Sequence, residues 1–136
     1  MNVLELLKKH EGFRGQPYHC TAGKLTIGYG RNLEANPLTE KEAEVLLIND
    51  VLLIGKQLRE SYPWYLRLDD TRQGVLINMA YNLGMAGIGK FKNMLAALED
   101  GNYSEAARHM LDSRWANQVG SRALELAELM KKGQEA

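Results

Sequence analysis

Cysteine is nearly missing from this chain. Cys20 stands alone among 136 residues, which excludes an internal disulfide. Small exported proteins commonly carry several cysteines, so the count points to a reducing compartment during synthesis. A surplus of charge is also missing: 17 basic and 17 acidic residues cancel. No global field therefore draws the chain toward nucleic acid, a membrane surface or an acidic polymer. Long apolar runs are absent too. The richest stretch, Val45 to Ile54, is broken by Asn49 and Asp50 and is too short to span a bilayer. The opening residues, MNVLELLKKHEG, place two lysines after a short leucine patch and lack a continuous apolar core, so no secretory signal is expected. The expectation is synthesis in the cytoplasm, with any export needing another agent. Repeats and low-complexity segments are lacking as well.

What is present describes an ordinary globular chain, 45% apolar and 25% charged, with enough apolar material for a real core. Val3, Leu6, Leu7 and His10 follow helical spacing, and Gly12 is placed to stop that helix. From Phe13 to Leu33 the pattern changes to short β-prone pieces punctuated by glycines. Tyr18-His19 and Leu25-Thr26-Ile27, separated by Ala22-Gly23, suggest an antiparallel hairpin. Thr39 and Glu42 form a capping box after Pro37, opening an amphipathic helix that ends near Tyr62-Pro63. At about 20 residues it would run about 30 Å. The remainder reads as helical, broken at Gly84 to Gly89, Asp100-Gly101-Asn102 and Val119-Gly120. Asp70 and Ser121 are the expected N-caps, and Leu76, Ile77, Met79, Tyr81 and Leu83 the expected central buried helix. The fold class is α+β, mainly α. A β-lobe of about residues 13–36 and a connecting helix of about 39–60 precede a helical lobe of about 64–136, packed with the first helix in a single domain.

Glu11 sits where the first helix gives way to the hairpin. A negative charge at a helix C-terminus is disfavoured by the macrodipole, and part burial would add to that, raising the carboxyl pKa. A carboxylic acid kept protonated near neutral pH is what general-acid chemistry requires.

The segment EGFRGQPYHCTAGKLTIGYG resembles the active-site segment of the phage-type lysozymes, the muramidases of glycoside hydrolase family 24. That pattern is Glu, eight residues, Asp or Cys, five residues, then Thr inside a Thr-Ile-Gly-x-Gly run. It falls here on Glu11, Cys20 and Thr26, with Gly12, Arg14, Tyr18, Gly23, Gly28 and Gly30 agreeing around them. LTEKEAEVLLINDV, LINMAYNLG, FKNMLAALEDGNYSEAA and SRWANQVGSRALE resemble later parts of the family, so the likeness covers essentially the whole chain.

The resemblance implies a lysozyme-like two-lobed fold and hydrolysis of the β-1,4 link from N-acetylmuramic acid to N-acetylglucosamine in peptidoglycan. Glu11 would protonate the leaving oxygen. Cys20 and Thr26 would hold a water on the opposite face, giving inversion. Cys20 leaves two roles open: a thiolate acting as charge stabiliser or nucleophile with retention, or a thiol shaping the site around that water. Water positioning is the preferred reading. Arg122 matches a family arginine that pairs with the acid and would oppose the macrodipole. Tyr18, Tyr29, Asn82, Asn117 and Gln118 are candidates for sugar recognition, as is His109 at a position facing the cleft. Arg31, also counted among the substrate contacts, stands where many relatives carry histidine. Trp115 reads as packing material.

No metal or other cofactor is expected, since His19 and Cys20 have no finger-like ligand spacing. The expected partner is the peptidoglycan glycan strand, not nucleic acid and not a membrane interior, with the chain a monomer. By family habit a phage or prophage endolysin of this kind collects in the host bacterial cytoplasm and reaches the wall when a holin permeabilises the membrane. Two departures stand out: a short connection between the Thr-Ile-Gly-Tyr-Gly run and the long helix, and zero net charge where wall-lytic enzymes are commonly basic. Two rivals remain: a non-catalytic muropeptide-binding relative, and a thiol-dependent amidase or peptidase using Cys20. For the latter, His19 is a poor base, because adjacent strand residues point to opposite faces.

Overall fold

The computed structural model describes residues 2–135. Among them are seven α-helices and one three-stranded antiparallel sheet. The chain divides into two compact units, Met1–Leu46 and Leu47–Ala136.

The first unit opens with α1, Val3–Glu11. Asn2 caps it by accepting from the Glu5 N–H at 2.9 Å, while the Glu5 carboxylate accepts from the Asn2 N–H at 3.3 Å. This reciprocal pair satisfies two of the donors a helix start leaves open. Gly12 ends the helix as expected, at φ 73°, with its N–H donating to the Lys8 carbonyl at 3.0 Å. The helix extends one residue past His10, so Glu11 is its last member.

Next come β1 (Arg14–His19), β2 (Leu25–Gly28) and β3 (Arg31–Asn32), in sheet order β1-β2-β3. The register pairs Tyr18 with Thr26 and His19 with Leu25, then Thr26 with Asn32 and Ile27 with Arg31. The hairpin agrees with the expectation, and β3, only two residues long, adds a strand to it. The hairpin turn follows from Gly23, which takes φ 77° and donates to the Cys20 carbonyl at 2.8 Å, while the Cys20 N–H donates to the Lys24 carbonyl at 2.9 Å. A type I turn closed by a left-handed residue is a favoured three-residue hairpin loop.

The α2 helix, Glu40–Ser61, begins on the expected capping box. The Thr39 N–H donates to Glu42 Oε1 at 2.9 Å, and the Glu42 N–H donates to Thr39 Oγ1 at 3.2 Å. The division between the units falls within this helix.

In the second unit a 3-10 turn, Pro63–Arg67, leads into α3 (Asp70–Ile88), α4 (Lys92–Glu99), α5 (Tyr103–Leu111), α6 (Arg114–Val119) and α7 (Ser121–Lys132). Here α5 packs on α4 and α7, and α7 packs also on α3 and α6. Leu58, Leu76, Met79, Ile88, Met110 and Met130 are fully buried. Burying each such side chain is worth about 1.5–3 kcal/mol. The break expected from Gly84 onward is a kink inside α3, where Gly84 takes φ 76°, ψ 165°. The breaks at Asp100–Asn102 and Val119–Gly120 also fall where expected, and a further one at Asp112–Ser113 separates α5 from α6.

Three expectations need correction. Asp69, not Asp70, is the N-cap position of α3, and it makes no side-chain cap bond; its Oδ1 is turned to Arg72 at 3.3 Å instead. Gly120, at φ 58°, occupies the N-cap of α7, so Ser121 is its first helical residue. Tyr81 is 50% exposed. It is two residues beyond Met79 and falls off the stripe that Leu76, Met79 and Ala80 bury.

Candidate active site

Direct cross-strand partners share a face of a sheet, so Tyr18, Thr26 and Asn32 form one row across β1, β2 and β3. Cys20 continues that face. It lies two residues beyond Tyr18 and keeps the ladder through its bond to Lys24. His19 belongs to the other face and is exposed, which leaves it badly placed to serve the thiol as a base.

Thr26 is buried, at 2% exposure, and its hydroxyl donates to the Lys24 carbonyl at 2.8 Å. With its proton committed there, Thr26 Oγ1 can offer only lone pairs to anything else. Cys20 is a half-buried free thiol. Hydrogen bonds to the backbone at Lys24 and then Ala22 hold its pKa below the ordinary thiol value. They outweigh the opposing effect of partial burial. The hairpin thus presents a sulfur and a hydroxyl oxygen side by side on one face.

Glu11 is exposed, so the part burial expected of it is not found. Its carboxylate lies against Gly30, in the turn that joins β2 to β3. A Cβ placed on Gly30 would stand 2.5 Å from Glu11 Oε2. Beside it, the rings of Phe13 and Tyr29 meet at 5.6 Å and 49°, with Lys8 Nζ 5.7 Å from the Tyr29 centroid. The Arg14 guanidinium covers one face of the Tyr18 ring at 3.8 Å. Arg31 is bound on several sides. It forms a two-pronged pair with Glu42, and it donates to the Asn36 carbonyl at 2.9 Å and the Pro37 carbonyl at 2.7 Å. The Arg31 guanidinium holds the Glu42 carboxyl at about 2, with Thr39 contributing.

In the second unit His109 and Gln118 share a cavity of 620 Å³ with Leu83, Phe91, Ser113 and Trp115. Trp115 is core, as expected: it is 4% exposed, meets Phe91 edge-on at 6.1 Å and donates from Nε1 to Asn82 Oδ1 at 3.0 Å. Asn82 therefore keeps its amide N–H groups as donors. His109 Nε2 lies 3.5 Å from Glu105 Oε2, an ion pair whenever the imidazole is protonated. Asn117 is exposed on α6. Arg122 donates to Asn78 Oδ1 at 3.0 and 2.6 Å. Spacing gives no sign of this pairing, because two residues 44 positions apart leave no local pattern to find. Among the described residues no group of three His, Cys, Asp or Glu could hold a metal ion, and no helix is long and apolar enough to cross a membrane.

A helix-end acid, a hairpin bearing a thiol and a threonine on one face, and an all-helical second unit define a lysozyme-like protein of the glycoside hydrolase class. The family model described as phage lysozyme matches residues 8–134, and the chain belongs to that family. Probable T4-type lysozyme 1 of Dictyostelium discoideum is 28% identical, over 97% of this chain and 95% of its own length. The endolysin of Acyrthosiphon pisum secondary endosymbiont phage 1 is 27% identical, over 96% and 89%. The pre-baseplate central spike protein of Enterobacteria phage T4 is 27% identical over 98% of this chain, which spans only 28% of that protein's length.

Proposed function

We propose that this chain is a muramidase that hydrolyses the β-1,4 bond between N-acetylmuramic acid and N-acetylglucosamine in peptidoglycan, with inversion. Glu11 delivers its proton to the glycosidic oxygen as the bond to the anomeric carbon breaks. On the opposite face a water donates hydrogen bonds to Cys20 Sγ and Thr26 Oγ1, and its lone pair attacks that carbon. The water's proton passes to the sulfur and then to solvent, while Glu11 recovers its own from solvent. Supporting this reading above all is the pairing of two acceptors, Cys20 and Thr26, on one sheet face. Such a pair suits a water, which can donate one hydrogen bond to each acceptor while its oxygen lone pair stays free.

His109, Gln118, Asn82, Asn117, Tyr18 and Tyr29 are proposed to contact the glycan, and Arg122 to tune Glu11. For Arg31 the role is narrower, because its guanidinium is committed to Glu42; it shapes the rim of the site. The protein acts as a monomer, gathers in the host bacterial cytoplasm and is released to the wall through a holin.

Purified wall digested with wild type, Glu11→Gln and Cys20→Ser tests the proposal, with new reducing ends and new amines counted separately. Reducing ends lost with Glu11→Gln support it. Amines in their place would make the chain a thiol-dependent amidase or peptidase, and no product of either kind would leave a muropeptide-binding relative. NMR of the first anomer released separates inversion from retention.

A further inference from the structure

The apolar stretch from Val45 to Ile54 has no part in the site described above, and much of it is left uncovered. Val45, Ile48 and Leu52 are 56%, 49% and 67% exposed. A helix turns about 100° per residue, so these three positions share one face of α2. Lys41, Lys56 and Arg59, the only basic residues of the helix, fall with them inside an arc of about 80°. Apolar side chains therefore hold the middle of this face and cations hold both ends, about 27 Å apart from Lys41 to Arg59. Of the helix acids, Glu44 alone borders the face. Leu46 and Leu53 are exposed as well, but the side they share carries Glu42, Asp50 and Glu60. Leu58, fully buried, anchors α2 from a third side.

The cations on this face are uncommitted. Among the described residues Lys41 and Arg59 form no ion pair, and Lys56 reaches Glu60 only at 4.0 Å with both side chains exposed, a contact worth little. The chain has no net charge, so attraction to an anionic partner has to come from a local patch such as this one. Long basic side chains at the ends of an apolar stripe can lay their stems along it and keep their charges at the level of lipid phosphates. A partner helix would need acids placed at both ends of a matching apolar stripe. A lipid surface offers anions and apolar depth at every point, with no register to match.

We infer that this face of α2 docks on an anionic phospholipid surface. Val45, Ile48 and Leu52 enter the boundary between headgroups and acyl chains, and Lys41, Lys56 and Arg59 pair with lipid phosphates. None of these residues belongs to the proposed catalytic or glycan-binding set, so the inference is independent of the muramidase reading.

Flotation of the full chain with vesicles of phosphatidylcholine, with and without phosphatidylglycerol, tests it. Wild type should float with the anionic vesicles and not with the zwitterionic ones. Its binding should weaken between about 0.1 M and 1 M salt, as the Debye length falls from about 10 Å to about 3 Å. Two double variants separate the contributions: Ile48→Gln with Leu52→Gln, and Lys56→Gln with Arg59→Gln. All four positions are exposed and glutamine is a good helix former, so thermal unfolding should stay close to wild type. Each double variant should lower partitioning about tenfold, while Leu53→Gln, on another side of the helix, should leave it unchanged. A readout on wild type needs no variant to fold. Anionic vesicles should protect the Lys41 and Lys56 amines from acetylation and leave Lys90 and Lys92 reactive.

Failure to float with anionic vesicles would overturn the inference, as would equal flotation of wild type and both double variants. Loss in the basic variant alone would make the contact purely electrostatic and overturn docking of the apolar face. Self-association abolished by Ile48→Gln with Leu52→Gln, without vesicle binding, would assign the stripe to a second copy and overturn it too.

Discussion

The carboxylate of Glu11 rests on the one face of Gly30 where any other residue would carry its Cβ. That atom would stand 2.5 Å from Oε2 and 3.1 Å from Cδ. Gly30 also has φ 75°, so it is required twice, once by the backbone and once by the acid. Gly28, two residues before, has φ 69°, and a Cβ there would meet nothing within 4 Å, which makes it the matched control. Both Gly28→Ala and Gly30→Ala should lose about 1–2 kcal/mol of stability to the left-handed backbone. Only Gly30→Ala should displace the acid, and a shift of that kind can cost about 100-fold in rate. Unfolding curves and reducing-end assays on the two variants check this. Equal rates would mean that Glu11 swings aside without consequence.

The Cys20 thiol titrates below the ordinary thiol value because backbone hydrogen bonds at Lys24 and Ala22 favour the thiolate. Alkylation by iodoacetamide across pH should therefore reach half its maximal rate at a lower pH in the folded protein than in the urea-unfolded chain. A depressed folded-state pKa contributes stability that is fully present above the unfolded thiol value and is lost as pH falls through the folded one. Cys20→Ser should remove that part of the pH dependence. If the sulfur accepts the water's proton, the acidic limb of the rate profile follows the same midpoint. In Cys20→Asp the limb should move down into the carboxylate range.

Local chemistry explains which parts of the fold can be read from the sequence. Gly12 and Gly23 take positive φ where a helix end and a hairpin turn demand it, and Thr39 with Glu42 spells out a helix start. Those signals lie within a few residues of what they control. Asp69 and Asp70 are both able to cap, and a pairing with Arg72 decides how Asp69 is used. The third strand offers only Arg31 and Asn32, too few for a periodic pattern. The triplet Glu11, Cys20 and Thr26 is legible as a motif. That Thr26 spends its proton on Lys24, or that Asn32 stands across from it, depends on hydrogen bonding and strand register, which spacing does not encode.

Arg31 and Glu42 tie the end of the sheet to the first turn of α2, and Glu42 titrates at about 2 because of it. The carboxyl is depressed in the folded state, so its contribution is present above the unfolded carboxylate value. It is lost as pH falls from about 4.3 through about 2. Glu42→Gln keeps a capping-box side chain and removes the ion pair. It should lower stability at pH 7 and flatten the acid side of the stability curve. Urea unfolding of both proteins at pH 7 and pH 3 measures the difference. A parallel offset at the two pH values would assign the loss to packing.

Arg72 closes the C-terminal end of the helical unit. Its Nε donates to the Met130 carbonyl at 2.6 Å and its Nη2 to the Lys131 carbonyl at 2.8 Å, capping the last turn of α7. The guanidinium also lies 3.7 Å from the centroid of the Tyr103 ring on α5 and pairs with Asp69 at 3.3 Å. A planar fork makes all these contacts at once, and an ammonium cannot. Arg72→Lys should therefore cost most of what Arg72→Ala costs, about 2–3 kcal/mol for charged hydrogen bonds to carbonyls in a site only 14% exposed. The Asp69 Oδ2 oxygen is buried without a partner, so removing the cation leaves a carboxylate with no compensation. Asp69→Asn in the Arg72→Ala background should then restore part of the loss. Chemical unfolding of the two single variants and the double variant yields that coupling directly. Simple additivity would show that Arg72 works through its carbonyl and ring contacts alone.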